Sequence, residues 1–222
     1  MSYALGFDVY GTLVDPLGMQ RYLRPLVGNL ADRFAEVWRA KQVEYAFRRG
    51  LMAKYENFSV CRRQALLYTM QALKVNLSSQ AQEQLMNDYQ DLPVFADVRQ
   101  GLRALKAQGH KLVAFSNGTE LTVRNMLSRA GLLAYFECVI SVDDLRTFKP
   151  SPAVYIYLAR SVNRPLSETW LISSNTWDVI GAKAVGMKAA WIKRSTDAIL
   201  DPWGIEPDLT MKNLVEFASH LE

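Results

Sequence analysis

The stretch from Asp97 to Ile192 alternates between short apolar runs and longer amphipathic segments. The apolar runs predict four strands, at Lys111–Ser116, near Cys138–Ser141, and at the sequences WLIS (170–173) and AAWI (189–192). The amphipathic segments predict helices at Asp97–Gln108, at Leu121–Ala130, from Ser151-Pro152 onward, and at Asp178–Val185. Together with a first strand at Tyr3–Asp8, this alternation is typical of parallel βαβ units. It predicts an open, doubly wound α/β sheet.

A purely helical pattern interrupts this alternation between Pro16 and Leu92. The sequence ADRFAEVWRAKQVEYAFRRGL (31–51) places apolar residues mostly three and four positions apart, as an amphipathic helix does. Two further sequences, SVCRRQALLYTMQAL and SSQAQEQLMNDYQDL, repeat the pattern and begin with serines at N-cap positions. We therefore predict a catalytic core formed by residues 1–14 and 95–222, with an all-helical domain, residues 15–94, inserted in it.

The composition of the 222 residues excludes several classes of protein. Half of the residues are hydrophobic and 22% are charged, as in an ordinary globular protein. A net charge of +4 is too small and too mixed in sign to indicate nucleic-acid binding. No apolar run reaches the ~18–20 residues of a membrane span, and the N-terminus lacks the pattern of a signal peptide. We expect Cys61 and Cys138 to be buried apolar side chains in a reducing cytoplasm.

Polar residues follow the predicted strands where each strand ends. Because ligands and reacting groups collect at the carboxyl edge of a parallel sheet, these side chains are expected to converge there. They come from four separate segments: Asp8, Ser116-Asn117, Lys149, and Ser173-Ser174-Asn175 with Asp178. This convergence predicts an active site.

The residue types at this edge favour nucleophilic chemistry by a carboxylate. Asp8 is ionised at neutral pH and can attack carbon or phosphorus, and Lys149 beside it would keep it charged and oriented. Each residue also has a simpler interpretation. Asp8, Gly11 and Thr12 are common in turns, Ser116-Asn117 is common at helix caps, and most lysines are exposed.

The order of Asp8, Thr12, Ser116, Lys149 and Asp178 resembles the four motifs of the haloacid dehalogenase superfamily. Further segments resemble its L-2-haloacid dehalogenase branch (type II), namely FDVYGTL, VWRAKQVEYAF, FSNGT, FKPSPAVY and SSNTWDVIGAKAVG. The resemblance implies an α/β fold, a Rossmann-like parallel sheet core with an inserted all-helical cap domain. It implies hydrolytic dehalogenation of L-2-haloacids to D-2-hydroxy acids and halide, with no metal and no other cofactor.

Two departures separate the sequence from the phosphatases of that superfamily. Tyr10 stands where they carry an aspartic acid that protonates the leaving alkoxide, and a phenol with a pKa near ~10 is a poor acid at neutral pH. Their Mg²⁺ site has an acidic fourth motif, whereas here Ser173-Ser174-Asn175 precedes Asp178. Halide leaves without a proton, so the acid at position 10 is superfluous in a dehalogenase.

The resemblance assigns a role to each residue of the predicted site. Asp8 is the nucleophile, Arg39 receives the halide, and Lys149 orients Asp8. Supporting catalytic roles fall to Thr12, Ser116, Tyr155, Ser173, Asn175 and Asp178. Substrate-binding roles fall to Tyr10, Val43, Phe58, Ser116, Asn117 and Trp177, with backbone amides near position 10 helping Ser116 to hold the substrate carboxylate. For the apolar members, ordinary core packing is the alternative.

Other functions remain open at the level of the sequence. One alternative is a Mg²⁺-dependent phosphatase of the same superfamily, and another is a non-catalytic binding or regulatory protein with this fold. His110 and His220 do not lie where either could activate a serine or cysteine nucleophile. The expected partners are a small 2-haloacid and halide, with neither nucleic acid nor membrane. The resemblance also makes a homodimer through the cap helices plausible.

Overall fold

The computed structural model describes residues 2–221 and centres on a six-stranded parallel sheet with the strand order β3-β2-β1-β4-β5-β6. The strands are β1 (Ala4–Phe7), β2 (Lys111–Ser116), β3 (Cys138–Ser141), β4 (Thr169–Ser173), β5 (Lys188–Ile192) and β6 (Leu209–Met211). Every neighbouring pair is parallel. The order reverses at β1, so the carboxyl ends of β1, β2 and β4 surround one crevice. The predicted α/β class is confirmed.

Helices cover both faces of the sheet because successive strand residues point to opposite sides. On one face, α5 (Val98–Ala107), α6 (Glu120–Arg129) and α9 (Leu214–His220) pack against a cluster that includes Leu5 and Phe7. On the other face, α7 (Pro152–Ser161) and α8 (Thr176–Ala184) pack against a cluster that includes Val113 and Phe115. The strands β1 to β5 are buried on both sides along nearly their whole length, which explains their continuous apolar sequences.

Four helices form the insertion between β1 and α5: α1 (Gln20–Val27), α2 (Ala31–Leu51), α3 (Phe58–Ala72) and α4 (Ser79–Asp88). The chain leaves and re-enters the core at one place, where Val14 and Val94 form an antiparallel bridge and the Asp15 amide donates to the Pro93 carbonyl at 2.8 Å. Inside the insertion, the Trp38 indole on α2 donates to the Arg62 carbonyl on α3 at 2.9 Å. The domain boundaries predicted at 14/15 and 94/95 stay predictions.

The structure differs from the sequence prediction at several element ends. Asn57, with extended backbone and a side chain that accepts from the Val60 amide at 3.1 Å, caps α3, so the serine cap predicted at Ser59 is wrong. Ser78 caps α4 as predicted. Neither β6 nor α9 was predicted, because their three and seven residues show too little periodicity.

Two expectations from the composition concern the burial of the cysteines and the presence of membrane-spanning segments. Both thiols are free, but only Cys61 is buried, so the expectation of a buried side chain is wrong for the half-buried Cys138. Within residues 2–221, no helix is both long enough and apolar enough to cross a membrane.

Gly181 on α8 allows a close approach that a larger residue would prevent. A methyl group there would lie 2.5 Å from the Tyr155 hydroxyl and 2.7 Å from Pro150 Cβ. We predict that Gly181→Ala lowers the free energy of unfolding by about 1–3 kcal/mol through overpacking. Equilibrium urea unfolding monitored by circular dichroism checks this.

Gly50→Ala on α2 is the matched control, because its methyl group would meet its nearest neighbour, Thr147 Oγ1, at an ordinary 3.7 Å. We expect this variant to be as stable as the wild-type protein or more stable, since alanine favours helix. Equal stability of the two variants would contradict the proposed close packing at Gly181.

Candidate active site

Asp8 follows β1 directly and is only 5% exposed. Its Oδ2 accepts hydrogen bonds from Thr12 Oγ1 at 2.8 Å and from Asn175 Nδ2 at 2.8 Å. Its Oδ1 accepts from Lys149 Nζ at 3.1 Å. These donors stabilise the ionised carboxylate and fix its orientation. Among the described residues, Oδ1 has the lysine as its one hydrogen-bond donor, which leaves a lone pair for attack.

Lys149 is a buried ammonium that joins two carboxylates. Its Nζ lies 3.1 Å from Asp8 Oδ1 and 3.0 Å from Asp178 Oδ2, and it also donates to the Phe115 carbonyl at 2.9 Å. The exposed-lysine interpretation is therefore wrong. Asn117 Oδ1 accepts from the Lys149 amide at 3.0 Å, so this predicted substrate-binding residue fixes the loop that carries the lysine.

Asp178 and Tyr155 support the lysine from the far side. Asp178 Oδ1 accepts from the Tyr155 hydroxyl at 2.8 Å, and both side chains are fully buried. Burial raises the pKa of the Asp178 carboxyl, and the Lys149 ammonium opposes that rise. Burial, and to a smaller extent the neighbouring Asp178 charge, raise the pKa of the Tyr155 phenol well above its usual value. The phenol therefore stays protonated and donates its hydrogen bond.

The loops after β1 and β4 are tied together by hydrogen bonds around Thr12. The Thr12 hydroxyl donates to Asp8 and accepts from the Ser174 amide at 2.9 Å. Ser173 Oγ accepts from the Asn175 amide at 3.1 Å, which holds the carboxamide where it reaches both Asp8 Oδ2 and the Tyr10 carbonyl. Ser173 therefore acts on Asp8 indirectly, through Asn175.

Ser116 ends β2 with its side chain buried. Its Oγ accepts from the Gly118 amide at 3.1 Å. Within residues 2–221 its hydroxyl donates to no acceptor, so the proton is available to an anion. The Gly11 amide, by contrast, already donates to the Val14 carbonyl at 2.8 Å. The Gly11 amide is therefore not available to bind the substrate, so it cannot be one of the backbone amides near position 10 that were expected to do so.

The helical insertion contributes a cation and apolar side chains. Arg39 on α2 is half-buried, and its Nη2 donates to the Tyr10 carbonyl at 3.2 Å. The Phe58 ring lies 6.0 Å from the Tyr10 ring. Val43 is half-buried on α2, and Trp177 at the start of α8 packs against Phe47 with ring centroids 5.2 Å apart. The insertion therefore closes over the carboxyl edge of the sheet.

Tyr10 also has a buried neighbour that the sequence analysis missed. Arg62 on α3 is 1% exposed, and its Nη2 donates to the Tyr10 hydroxyl at 3.2 Å. Burial raises the pKa of the Tyr10 phenol, although the Arg62 charge opposes that rise. A signal was present in the sequence, because position 62 falls at helical spacing between Phe58 and Leu66, on the apolar face of its helix.

An apolar cleft of about 560 Å³ lies beside the site, between the insertion and the core. Its wall includes Phe47 and Leu51 from α2, Trp177 and Ile180 from α8, and Trp203. Lys149 and Trp177 border both the cleft and the site. The cleft can accept an apolar group, whereas the ionisable side chains cluster around Asp8.

The arrangement does not suit a Mg²⁺ ion. Magnesium requires octahedral oxygen ligands at ~2.1 Å, but an ammonium already bridges Asp8 and Asp178. The Asn175 carboxamide nitrogen covers Asp8 Oδ2 and the Tyr10 carbonyl. In the part of the chain that the structure describes, no three His, Cys, Asp or Glu side chains form a cluster that could hold a metal.

A lysine-oriented carboxylate at the carboxyl edge of a parallel sheet, beneath a helical insertion, is typical of a hydrolase with a Rossmann-like core and a carboxylate nucleophile. The family model of haloacid dehalogenase-like hydrolases matches residues 4–186, and the chain belongs to that family.

Known proteins resemble this chain both in sequence and in three-dimensional structure. The chain is 35% identical to haloacetate dehalogenase H-2 of Moraxella sp. (strain B), over 94% of this chain and 92% of that protein. It is 31% identical to the (S)-2-haloacid dehalogenase of Pseudomonas fluorescens, over 97% and 94% of the two chains. The L-2-haloacid dehalogenase of Xanthobacter autotrophicus, solved also with chloropropionic acid covalently bound, superposes with a TM-score of 0.92 at 28% identity, covering 100% and 98%.

The buried position of Lys149 generates a prediction about pH. Lys149→Met leaves Asp8 and Asp178 adjacent without their cation, and loss of one partner of a buried ion pair costs about 3–5 kcal/mol. Repulsion between the two carboxylates then raises the pKa of one carboxyl further, in addition to the rise that burial already causes in the pKa of Asp178. The loss of unfolding free energy caused by Lys149→Met is therefore full near pH 7.5, where both carboxyls are ionised. It shrinks as the pH falls towards 5.5, because one carboxyl then binds a proton.

Urea unfolding at both pH values, with Lys183→Met as control, measures this effect. Lys183 pairs with Asp208 in a partly exposed site at 2.9 Å, so its loss should cost less than about 1 kcal/mol at either pH. A penalty at Lys149 that is the same at pH 5.5 and 7.5 would contradict the electrostatic explanation.

Proposed function

We propose that this protein hydrolyses the carbon–halogen bond of small L-2-haloacids, giving D-2-hydroxy acids and halide. The observation that carries the proposal is the environment of Asp8, a carboxylate held by Lys149, Thr12 and Asn175 at distances between 2.8 and 3.1 Å. The (S)-2-haloacid dehalogenases at about 30% identity support the same reaction.

In the first step, Asp8 Oδ1 attacks the α-carbon from the side opposite the halogen. The new carbon–oxygen bond forms as the carbon–halogen bond breaks, so the configuration inverts and the halide leaves with the bonding electrons. Negative charge moves from Asp8 to the halide, which Arg39 receives. Ser116 donates to the substrate carboxylate, helped by Asn117, and orients the α-carbon.

In the second step, water attacks the Asp8 carbonyl carbon of the ester. The bond between that carbon and the ester oxygen breaks, and the hydroxy acid leaves with one proton of the water. The other proton goes to solvent, and the carboxylate is restored. We assign the positioning of the water to Asn175, whose Nδ2 lies 2.8 Å from Asp8 Oδ2, and to Asp178, which is linked to Asp8 through Lys149. Thr12 and Asn175, which donate to Oδ2, stabilise the negative charge that develops on the carbonyl oxygen, while Lys149 stays beside the ester oxygen Oδ1.

The neutral side chain at position 10 suits this reaction. Halide needs no protonation, whereas a phosphatase must protonate an alkoxide. Tyr10, Val43, Phe58 and Trp177 surround the α-substituent of the substrate. The cleft of about 560 Å³ beyond Trp177 gives a longer substituent room to extend.

We also propose a homodimer and a cytoplasmic location. Apolar side chains are exposed on the helical insertion, including Leu26, Leu30 and Leu67 at 43–44%, and pairing of two insertions would cover them. The free thiols of Cys61 and Cys138 are compatible with a reducing compartment.

Halide release from L-2-chloropropionate in the presence of EDTA tests the proposed reaction. We expect release without metal, and a loss of about 10³-fold or more in kcat for Asp8→Asn, since the amide is a poor nucleophile. Asp15→Asn is the control, because its side chain accepts from the Leu17 amide outside the site. Phosphate release from p-nitrophenyl phosphate with Mg²⁺, and no halide release, would instead support the phosphatase. Release of neither halide nor phosphate would favour a non-catalytic binding protein.

A single turnover in H₂¹⁸O tests the ester intermediate. If water attacks the Asp8 carbonyl carbon, one ¹⁸O atom enters the carboxylate and the hydroxy acid stays unlabelled. Mass analysis of the Asp8 peptide after one turnover measures the label. Label in the hydroxy acid alone would mean that water attacks the α-carbon directly.

A further inference from the structure

Arg62 carries a buried charge without a carboxylate partner. Its side chain is 1% exposed, and within residues 2–221 no Asp or Glu forms an ion pair with it. Its Nε has no hydrogen-bond partner in the same part of the chain. A charge of this kind is costly to bury unless something compensates it. The compensation available from the chain comes from aromatic rings and one phenol.

The rings around Arg62 also belong to the wall of the active site. Its guanidinium carbon lies 4.0 Å from the Tyr89 ring centroid, 5.6 Å from that of Tyr10 and 5.8 Å from that of Phe58. The Tyr10 hydroxyl accepts from its Nη2 at 3.2 Å. A methyl group at Gly118 would lie 3.6 Å from both Tyr10 Cε2 and Ser116 Oγ, so the Tyr10 ring and the Ser116 hydroxyl border the same glycine.

A count of formal charges shows what Arg62 adds. Asp8 and Asp178 contribute two negative charges, and Lys149 and Arg39 contribute two positive charges, so these four groups are neutral together. Arg62 is the next buried cation and leaves the site with one positive charge. A monoanion would neutralise it.

We propose that Arg62 is a positioning and specificity residue that fixes Tyr10 and makes the pocket selective for monoanionic carboxylic acids over neutral compounds of the same shape. The proposal rests on the function proposed above and names the charge that its substrate must carry. The same positive charge remains behind the aromatic wall when the substrate becomes an ester and a halide ion forms. It therefore favours an anion throughout the first step.

Propionate and propionamide test the selectivity, because they have nearly the same shape, differ in charge and contain no halogen to be released. Binding is measured by isothermal titration calorimetry. We expect the wild-type protein to bind propionate more tightly than propionamide. Arg62→Met should weaken propionate binding by about 10-fold or more and propionamide binding by less than about 2-fold.

Three further variants separate charge from packing. Arg62→Lys keeps the charge and should retain most of the propionate affinity. Arg62→Gln replaces Arg62→Met if the latter does not fold. Arg63→Met is the matched control, because Arg63 is the exposed neighbour that pairs with Glu83, and it should bind both compounds as the wild-type protein does.

The results distinguish this inference from the proposed reaction. Equal weakening of both compounds in Arg62→Met, unchanged propionate binding in that variant, or no propionate binding by the wild-type protein would overturn the role of Arg62. Halide release by the wild-type protein would leave the proposed reaction standing in each of those cases. Charge-selective binding without halide release from L-2-chloropropionate would support Arg62 and refute the reaction.

Discussion

The contact of one buried ammonium with two carboxylates organises the carboxyl edge of this protein. Lys149 Nζ lies about equally far from Asp8 and Asp178, at 3.1 and 3.0 Å. Buried carboxylates this close to each other would repel, and one would take up a proton. With the ammonium between them, Asp8 can remain a charged nucleophile out of bulk water. The Tyr155 hydroxyl and the Asn117 carboxamide hold the two ends of this arrangement in place.

The sheet topology explains why this contact forms between residues so distant in the sequence. Lys149 and Asp8 are 141 positions apart, yet Asp8 directly follows β1 and the loop after β3, fixed by Asn117 at the end of β2, brings Lys149 to the same crevice. The helical insertion adds Arg39 from above, and the antiparallel bridge between Val14 and Val94 anchors its entry and exit close together. The core therefore provides the nucleophile and its support, and the insertion provides the cation opposite.

The sequence predicted most of this arrangement, and its failures have physical reasons. The strands after residue 110 are buried on both faces, so their apolar runs are easy to recognise, and β2 and β3 have the predicted bounds. The cap of α3 depends on the local backbone at Asn57, which residue type alone does not determine. Arg62 was missed because an arginine pair in a helix is usually solvated, and its burial depends on Tyr10 and Tyr89, which lie far away in the chain.

Tyr10 connects the parts of the site that belong to the helical insertion and to the sheet core. Its carbonyl accepts from Arg39 of the insertion and from Asn175 of the core, and its hydroxyl accepts from Arg62. An aspartate at this position would add a negative charge beside Asp8, could not reach Arg62 with a short side chain, and would leave that guanidinium without its hydrogen-bond acceptor. The neutral, long side chain keeps both cations near the pocket free to attract an anion. A site of this kind binds and releases anions without supplying a proton. Both the tyrosine at position 10 and the buried Arg62 meet that requirement.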